Sequence, residues 1–284
     1  MIITRTLPEL RAAARHLGGL SFVPTMGALH SGHVSLLAAA RASGRPVAAS
    51  IFVNPTQFGP AEDFNHYPRD EAGDLAQLEA AGCDLVWLPD VTTMYPPGSA
   101  TSVNPAGPAL LWEGAARRGH FAGVTTVVTK LFGQVQPEAA YFGEKDWQQV
   151  QVVRQLAADL HLPVEIIPVA TARARDGLAL SSRNRFLQPA ERARAPALFA
   201  ALCEAARRIS SGGAVAPALA AACATVTQSG MAVQYIALVH AHTLVPCDTL
   251  AHPARLLAAA RLGTVRLLDN LPVTQSDASV PDYP

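Results

Sequence analysis

From Leu20 onward the chain alternates short apolar runs with longer segments of helical spacing. Leu20–Pro24 is a compact apolar run, followed by a glycine-bearing loop and an Ala/Leu-rich stretch, Val34–Ala42, that reads as a helix. Pro46–Val53 is apolar at nearly every position, the pattern of a strand covered on both faces. A long polar loop, Asn54–Arg69, leads into helical spacing over Arg69–Ala81 and a strand over Asp84–Leu88. Val91–Arg118, rich in Pro and Gly, reads as irregular. Gly123–Val135 has the spacing of a buried helix, with a strand as the competing assignment because of its β-branched residues. Ala139–Phe142, Asp146–Leu160 and Val164–Val169 follow as strand, helix and strand. Strands that alternate with helices in this way indicate a parallel α/β sheet.

The pattern changes at Pro189. Ala-rich helical segments run to about Thr227, and apolar runs follow at Val233–Val239, Leu256–Leu262 and Val265–Leu268, as expected of a smaller α+β domain. The domains are accordingly placed at residues 1–184 and 185–284, and Thr274–Pro284, which lacks apolar periodicity, reads as a loose tail.

A length of 284 residues with half of them apolar suits about two domains at roughly 150 residues each. The apolar fraction excludes a disordered chain. With 22 basic and 22 acidic side chains there is no net charge to displace counterions from a phosphate backbone, so a nucleic-acid partner is not expected. No run approaches the ~18 uncharged residues of a membrane span, and Pro8, Glu9, Arg11 and Arg15 interrupt any secretory signal. A cytoplasmic enzyme or binding protein remains. Cys83, Cys203, Cys223 and Cys247 are widely spaced and read as reduced thiols rather than as disulfides or a zinc site. Only Lys130 and Lys145 are lysines in an Arg-rich chain, which points to a use for a compact ammonium that Arg cannot imitate.

Four stretches offer chemistry. Thr25-Met26-Gly27-Ala28-Leu29-His30-Ser31-Gly32-His33 lies between a predicted strand and a predicted helix, where a helix N-terminus, close-approaching backbone and two imidazoles suit an anion. Without other context, two histidines near a turn are more often a capping arrangement or surface residues. Ile51–Gly59 carries Asn54 and Gln57 at the carboxyl end of a strand, the edge at which open α/β sheets bind ligands; an ordinary Asn-capped turn is the plain alternative. Tyr141–Gln149 places Gly143, Glu144, Lys145 and Asp146 where a strand gives way to a helix. Its acids suit the helix dipole, but a lysine at that positive end makes sense if a phosphate shares the site. Leu180-Ser181-Ser182-Arg183-Asn184 is a polar loop at the domain junction, or simply a linker turn.

The first stretch resembles the HxGH signature of the nucleotidyltransferases, which follows the first strand of a doubly wound, Rossmann-like sheet. Together the four are similar to the pantoate–β-alanine ligase (pantothenate synthetase) family, in its order and spacing. Further matching stretches are Met94-Tyr95-Pro96, Glu113-Gly114, His120–Val128 and Arg266–Asn270, so the resemblance covers nearly the whole chain. It implies a doubly wound parallel sheet with a smaller C-terminal α+β domain closing over the site. It also implies a cytoplasmic homodimer that uses ATP, (R)-pantoate and β-alanine, with Mg2+ carried by the nucleotide rather than by a protein site.

By the same resemblance, Met26 to His33 would line the ATP site, with His33 as proton donor and His30 beside it at the phosphates. Gly143, Glu144, Lys145 and Asp146 would also bind ATP, with Lys145 on the phosphates. Leu180, Ser181, Ser182 and Arg183 would form a second ATP loop, and Ala172 the adjacent adenine-side position. The implied catalytic set is His30, His33, Lys145 and Arg183. Gln57 would contact pantoate and β-alanine, and Gln149 pantoate, with Asn54 beside them. The family commonly has Met at the position of Leu180 and Val at that of Ala172; both changes keep an apolar backbone-type contact. Three other readings compete. A transferase for a phosphorylated acceptor would need cations near Asn54 and Gln57. A fragment of a tRNA synthetase would need a basic region. A noncatalytic nucleotide sensor would not require all four catalytic residues.

Overall fold

The computed structural model describes residues 1–60, 64–250 and 253–275. Its contacts divide into two compact units, residues 1–144 with 148–170, and residues 145–147 with 171–284.

The first unit opens with strand β1 (Ile2–Thr4) and helix α1 (Leu7–Leu17), which precede the alternation read from the sequence. A three-residue strand is too short to show a period, whereas the helix carries both a capping box, Thr6 with Glu9, and helical apolar spacing at Leu7, Leu10, Ala13 and Leu17 that the alternation read from Leu20 onward leaves out. Then come β2 (Ser21–Thr25), α2 (Ser31–Arg41), β3 (Val47–Ile51), α3 (Glu71–Ala80) and β4 (Leu85–Trp87). The Pro- and Gly-rich stretch expected to be irregular holds two one-turn helices, α4 (Val91–Met94) and α5 (Glu113–Ala116). The ambiguous apolar segment is a helix, α6 (His120–Val135), and β5 (Ala139–Gly143), α7 (Trp147–Asp159) and β6 (Glu165–Val169) follow.

The six strands run parallel in the order β1-β4-β3-β2-β5-β6. The His30–His33 motif therefore follows the second strand of the chain, not the first, because β1 occupies the far edge. Strands β2, β3, β4 and β5 are buried along nearly their whole length, as a sheet with helices on both faces requires. Val23, Leu36, Leu37, Ala49, Leu78, Val86 and Tyr141 pack into one of its apolar layers.

The second unit contains α8 (Pro189–Arg194), α9 (Ala197–Ser210) and α10 (Val215–Gln228), then β7 (Ala232–His240), β8 (Ala254–Leu262) and β9 (Val265–Val273). The three strands form an antiparallel sheet in the order β7-β8-β9. Strand β9 runs past the expected Leu268 to Val273: Leu271↔Leu256 and Val273↔Ala254 continue the ladder beyond Asp269 and Asn270, the buried polar residues that interrupt the apolar run. Leu198, Leu202, Ile209, Val226, Leu238, Leu256 and Leu267 make the core. The expected loose tail, Thr274–Pro284, lies from residue 276 onward outside the described residues.

The sequence places the domain junction at 184/185, whereas the contacts place it at 170/171 and give residues 145–147 to the second unit. The cause is local. Residues 172–180 fold back as a hairpin, Leu180 N–H donating to the Ala172 carbonyl at 2.9 Å, and Leu178 is buried in the second core. All four thiols are free, and burial pushes each upward, Cys83 to about 11.

Candidate active site

In the sheet order, β2 lies between β3 and β5. The chain works outward from β2 through β3 to β4, then returns to the other side of β2 with β5 and β6. The β2/β5 boundary is thus the topological switch point, where open parallel sheets bind ligands at the carboxyl edge. Pairing between these two strands is confined to Ser21↔Ala139 and Phe22↔Ala140. Each strand continues beyond that pairing, to Thr25 and Gly143 respectively, paired instead to its outer neighbour. The loops that leave those two ends are Met26–His33 and Glu144–Asp146.

The first loop is held from below. Asp74, buried on α3, accepts from Ala28 N–H at 2.8 Å and from Leu29 N–H at 2.7 Å. Gly27 (φ 81°) and Ala28 (φ 51°) are both left-handed, and a side chain at Gly27 would meet the Asp74 carboxylate 2.7 Å away. The turn delivers His30 as the N-cap of α2. Its Nδ1 accepts from Gly32 N–H at 3.1 Å, and His33 Nδ1 accepts from His30 N–H at 3.3 Å. The two rings lie 4.2 Å apart. With Nδ1 an acceptor in each, a neutral ring carries its proton on Nε2. The capping arrangement is therefore real, and it is also what aims two imidazoles at a helix N-terminus.

The Asn54–Gln57 turn meets the same loop. Gln57 Nε2 donates to Met26 Sδ at 3.2 Å, while Gln57 Oε1 accepts from Asn54 Nδ2 at 3.0 Å. Asn54, expected beside Gln57 among the substrate-binding residues, is buried and engaged at both ends of its amide. Its nitrogen also donates to the Gly123 carbonyl at 3.1 Å, and its oxygen accepts from the Tyr95 hydroxyl at 2.8 Å and from Thr56 Oγ1 at 2.9 Å. Burial raises the Tyr95 phenol's pKa, which keeps it a donor. His120 Nδ1 meets the Gln57 carbonyl at 2.9 Å, and Arg117 Nη1 meets His120 Nε2 at 2.9 Å. A guanidinium only donates, so His120 accepts at Nε2 and donates through Nδ1. Gly123 leaves room for this: a Cβ there would stand 2.4 Å from the Thr56 carbonyl oxygen and 2.6 Å from Gln57 Cα.

Gly143 ends β5 and Glu144 opens the turn after it, both in the first unit, and Gln149, part-exposed, lies on α7 in the same unit. Lys145 and Asp146 belong to the second unit, with Lys145 Nζ 3.4 Å from Asp146 Oδ1. In that unit Lys145 and Ser181 line one small cavity with Asn184 and Asp269. The hairpin hydrogen bond brings Ala172 to Leu180, and Ser181 caps the turn that carries Ser182 and Arg183, its Oγ accepting from Arg183 N–H at 3.3 Å. Tyr95, His120, Gly123 and Asn270 fall in stretches already noted for their resemblance, but Asp74 carries no sequence signal. Among the described residues no group of three or more His, Cys, Asp or Glu is placed to hold a metal ion, and no helix is long and apolar enough to cross a membrane.

Residues 2–272 match the model of the family described as pantoate-beta-alanine ligase. A pantothenate synthetase of Acidiphilium cryptum is 59% identical over 278 residues, covering 96% of this chain and 100% of that relative. The crystal structure of pantothenate synthetase from Thermus thermophilus superposes with a TM-score of 0.93 at 49% identity, covering 96% of this chain and 100% of that one. A Francisella tularensis pantoate-beta-alanine ligase, complexed with beta-gamma ATP and beta-alanine, gives a TM-score of 0.81 at 34% identity over 96% of this chain and 97% of its own. With sequence and fold in agreement over nearly its whole length, the chain belongs to the pantoate-beta-alanine ligase family.

Proposed function

We propose that this enzyme condenses (R)-pantoate with β-alanine to give pantothenate, with ATP cleaved to AMP and pyrophosphate through a pantoyl adenylate. The observation that carries the reading is the pair of loops leaving β2 and β5 at the switch point, one bearing His30 and His33 and the other leading into Lys145. A pantoate carboxylate oxygen attacks the α-phosphorus and the bond to pyrophosphate breaks. The nucleophile is already an anion, so the step calls for donors around a crowded phosphorus rather than for a base. His30 and His33 fill that role at the helix N-terminus, His33 as proton donor, and Lys145 and Arg183 serve the phosphates.

Met26–His33, Gly143–Asp146, Ala172 and Leu180–Arg183 are assigned to ATP. Mg2+ would arrive bound to the nucleotide's phosphates and would offset their charge. Gln57 and Gln149 are assigned to pantoate, and Gln57 also to β-alanine. Asn54, its amide already engaged, orients Gln57 in this scheme. In the second step the neutral amine of β-alanine attacks the acyl carbon, AMP leaves with the bridging oxygen, and the amine loses its proton. A neutral carboxamide such as Gln57 suits hydroxyl and carboxylate groups, whereas a phosphorylated acceptor would call for cations there. We further assign the enzyme to the cytoplasm as a homodimer, on the family resemblance; sedimentation would test the dimer.

The test is pyrophosphate release from ATP with each partner withheld. Release should require pantoate but not β-alanine, and pantothenate should form only with both. Release independent of pantoate, or none at all, would defeat the reading, the latter favouring a noncatalytic sensor.

A further inference from the structure

Lys145 lies just before α7, yet its three-residue segment packs as part of the second unit. Two anchors account for this. At one end, Asn270 on β9, buried, donates from Nδ2 to the Lys145 carbonyl at 2.9 Å. At the other, the indole of Trp147 donates from Nε1 to the Ala241 carbonyl at 2.6 Å, and the Arg255 guanidinium stacks 3.7 Å from its ring centroid. Asn270 is itself fixed. Its N–H donates to Asp269 Oδ1 at 2.7 Å, and the same carboxylate takes both arms of Arg173 at 2.6 and 2.8 Å. Strand register holds Asn270 opposite Leu257 in the middle of the β8·β9 ladder. The backbone under Lys145 is thus bolted to the three-stranded sheet, and the adjustable part left is the lysine side chain, one-fifth exposed.

We infer that Asn270 and Trp147 are positioning residues for Lys145, acting through its main chain to set where its ammonium meets the nucleotide. The inference rests on the assignment of Lys145 to ATP. A lysine whose stem starts from a displaced Cα reaches the phosphates in poorer geometry, and a misplacement of ~1 Å can cost about 10²-fold in rate. Neither side chain is assigned to pantoate, so the loss belongs to kcat and to ATP, not to the KM for pantoate.

The experiment is a double-mutant cycle on pantoate-dependent pyrophosphate release, using Asn270→Ala, Lys145→Ala and the pair. Asn270→Ala should lower kcat by about 10- to 100-fold with the KM for pantoate unchanged, and should cost little more once Lys145 is already Ala. Trp147→Phe keeps the ring under Arg255 and removes the indole N–H. It should show the same coupling, and it decides the matter if Asn270→Ala does not fold. Equal factors in the wild-type and Lys145→Ala backgrounds would mean that Asn270 acts only on stability, and would overturn the inference. If Lys145→Ala itself leaves release intact, the assignment of Lys145 fails and the inference falls with it. If Lys145→Ala is defective while both Asn270→Ala and Trp147→Phe match wild type, the positioning role alone fails.

Discussion

At the scale of single residues, the glycines separate local cost from tertiary purpose. Gly123 and Gly133 both interrupt α6, where a glycine costs about 0.5–1 kcal/mol relative to Ala. A methyl on Gly133 meets nothing within 4 Å, whereas one on Gly123 would enter the Thr56–Gln57 backbone. We expect Gly133→Ala to be neutral or to raise stability by up to ~1 kcal/mol. Gly123→Ala should lose about 1–3 kcal/mol and raise the KM for pantoate, because the turn carrying Gln57 must move. Thermal melts and steady-state kinetics of the two variants check this; equal behaviour would mean that the close approach is immaterial. Periodicity and residue type do not distinguish these two glycines, although the family resemblance over His120–Val128 takes in Gly123 alone. The partner that makes one of them necessary lies in a distant turn of the chain, at Thr56 and Gln57.

At the scale of elements, a loop's shape is set by a helix that shares none of its motif. Asp74 of α3 receives two consecutive N–H groups of the Met26–His33 loop. An Asn there keeps one acceptor and turns an amide N–H₂ toward the other donor, leaving a buried donor unpaired at about 1–3 kcal/mol. Asp74→Asn should therefore lower the melting temperature and also reduce turnover at saturating ATP, since the same loop carries His30 and His33. Wild-type kcat in a destabilised Asp74→Asn would separate the loop from the chemistry. The elements themselves were largely legible. Binary pattern located β2 to β6 and α6, and its ambiguity at α6 was settled by packing around the helix, where Phe121, Val124, Val128 and Leu131 are buried. The edge strand β1, three residues long, gave periodicity nothing to register.

At the scale of the whole molecule, the second unit is stitched by a buried ion pair. Arg173 and Asp269 meet in bidentate geometry with side chains 11% and 3% exposed, and the guanidinium also lies 3.7 Å from the Phe199 ring centroid. Taking one partner from such a pair strands a charge in low dielectric, typically at about 3–5 kcal/mol, whereas replacing both with apolar groups costs far less. Asp269→Asn should thus be strongly destabilising in chemical denaturation, and Arg173→Met with Asp269→Leu should recover most of the loss. Comparable losses for the single and double variants would contradict this account. The pair also explains why residues 171–184 pack with the second unit, against the junction expected at 184/185.

As a string of residues, the chain already specifies an α/β sheet, a second α+β region and four chemically apt loops, because alternation, strand-to-loop transitions and residue type are local properties. It also specifies the family, since several weak motifs in one order are jointly improbable. What the string did not reveal is which side chains are consumed in holding others. Asn54 is taken up by Gln57 and Gly123, and Asp74 by two amides of a distant loop. Lys145 takes its anchorage from a strand that follows 125 residues later. Hydrogen-bond capacity is divided among neighbours in space, and only the folded backbone says who those neighbours are.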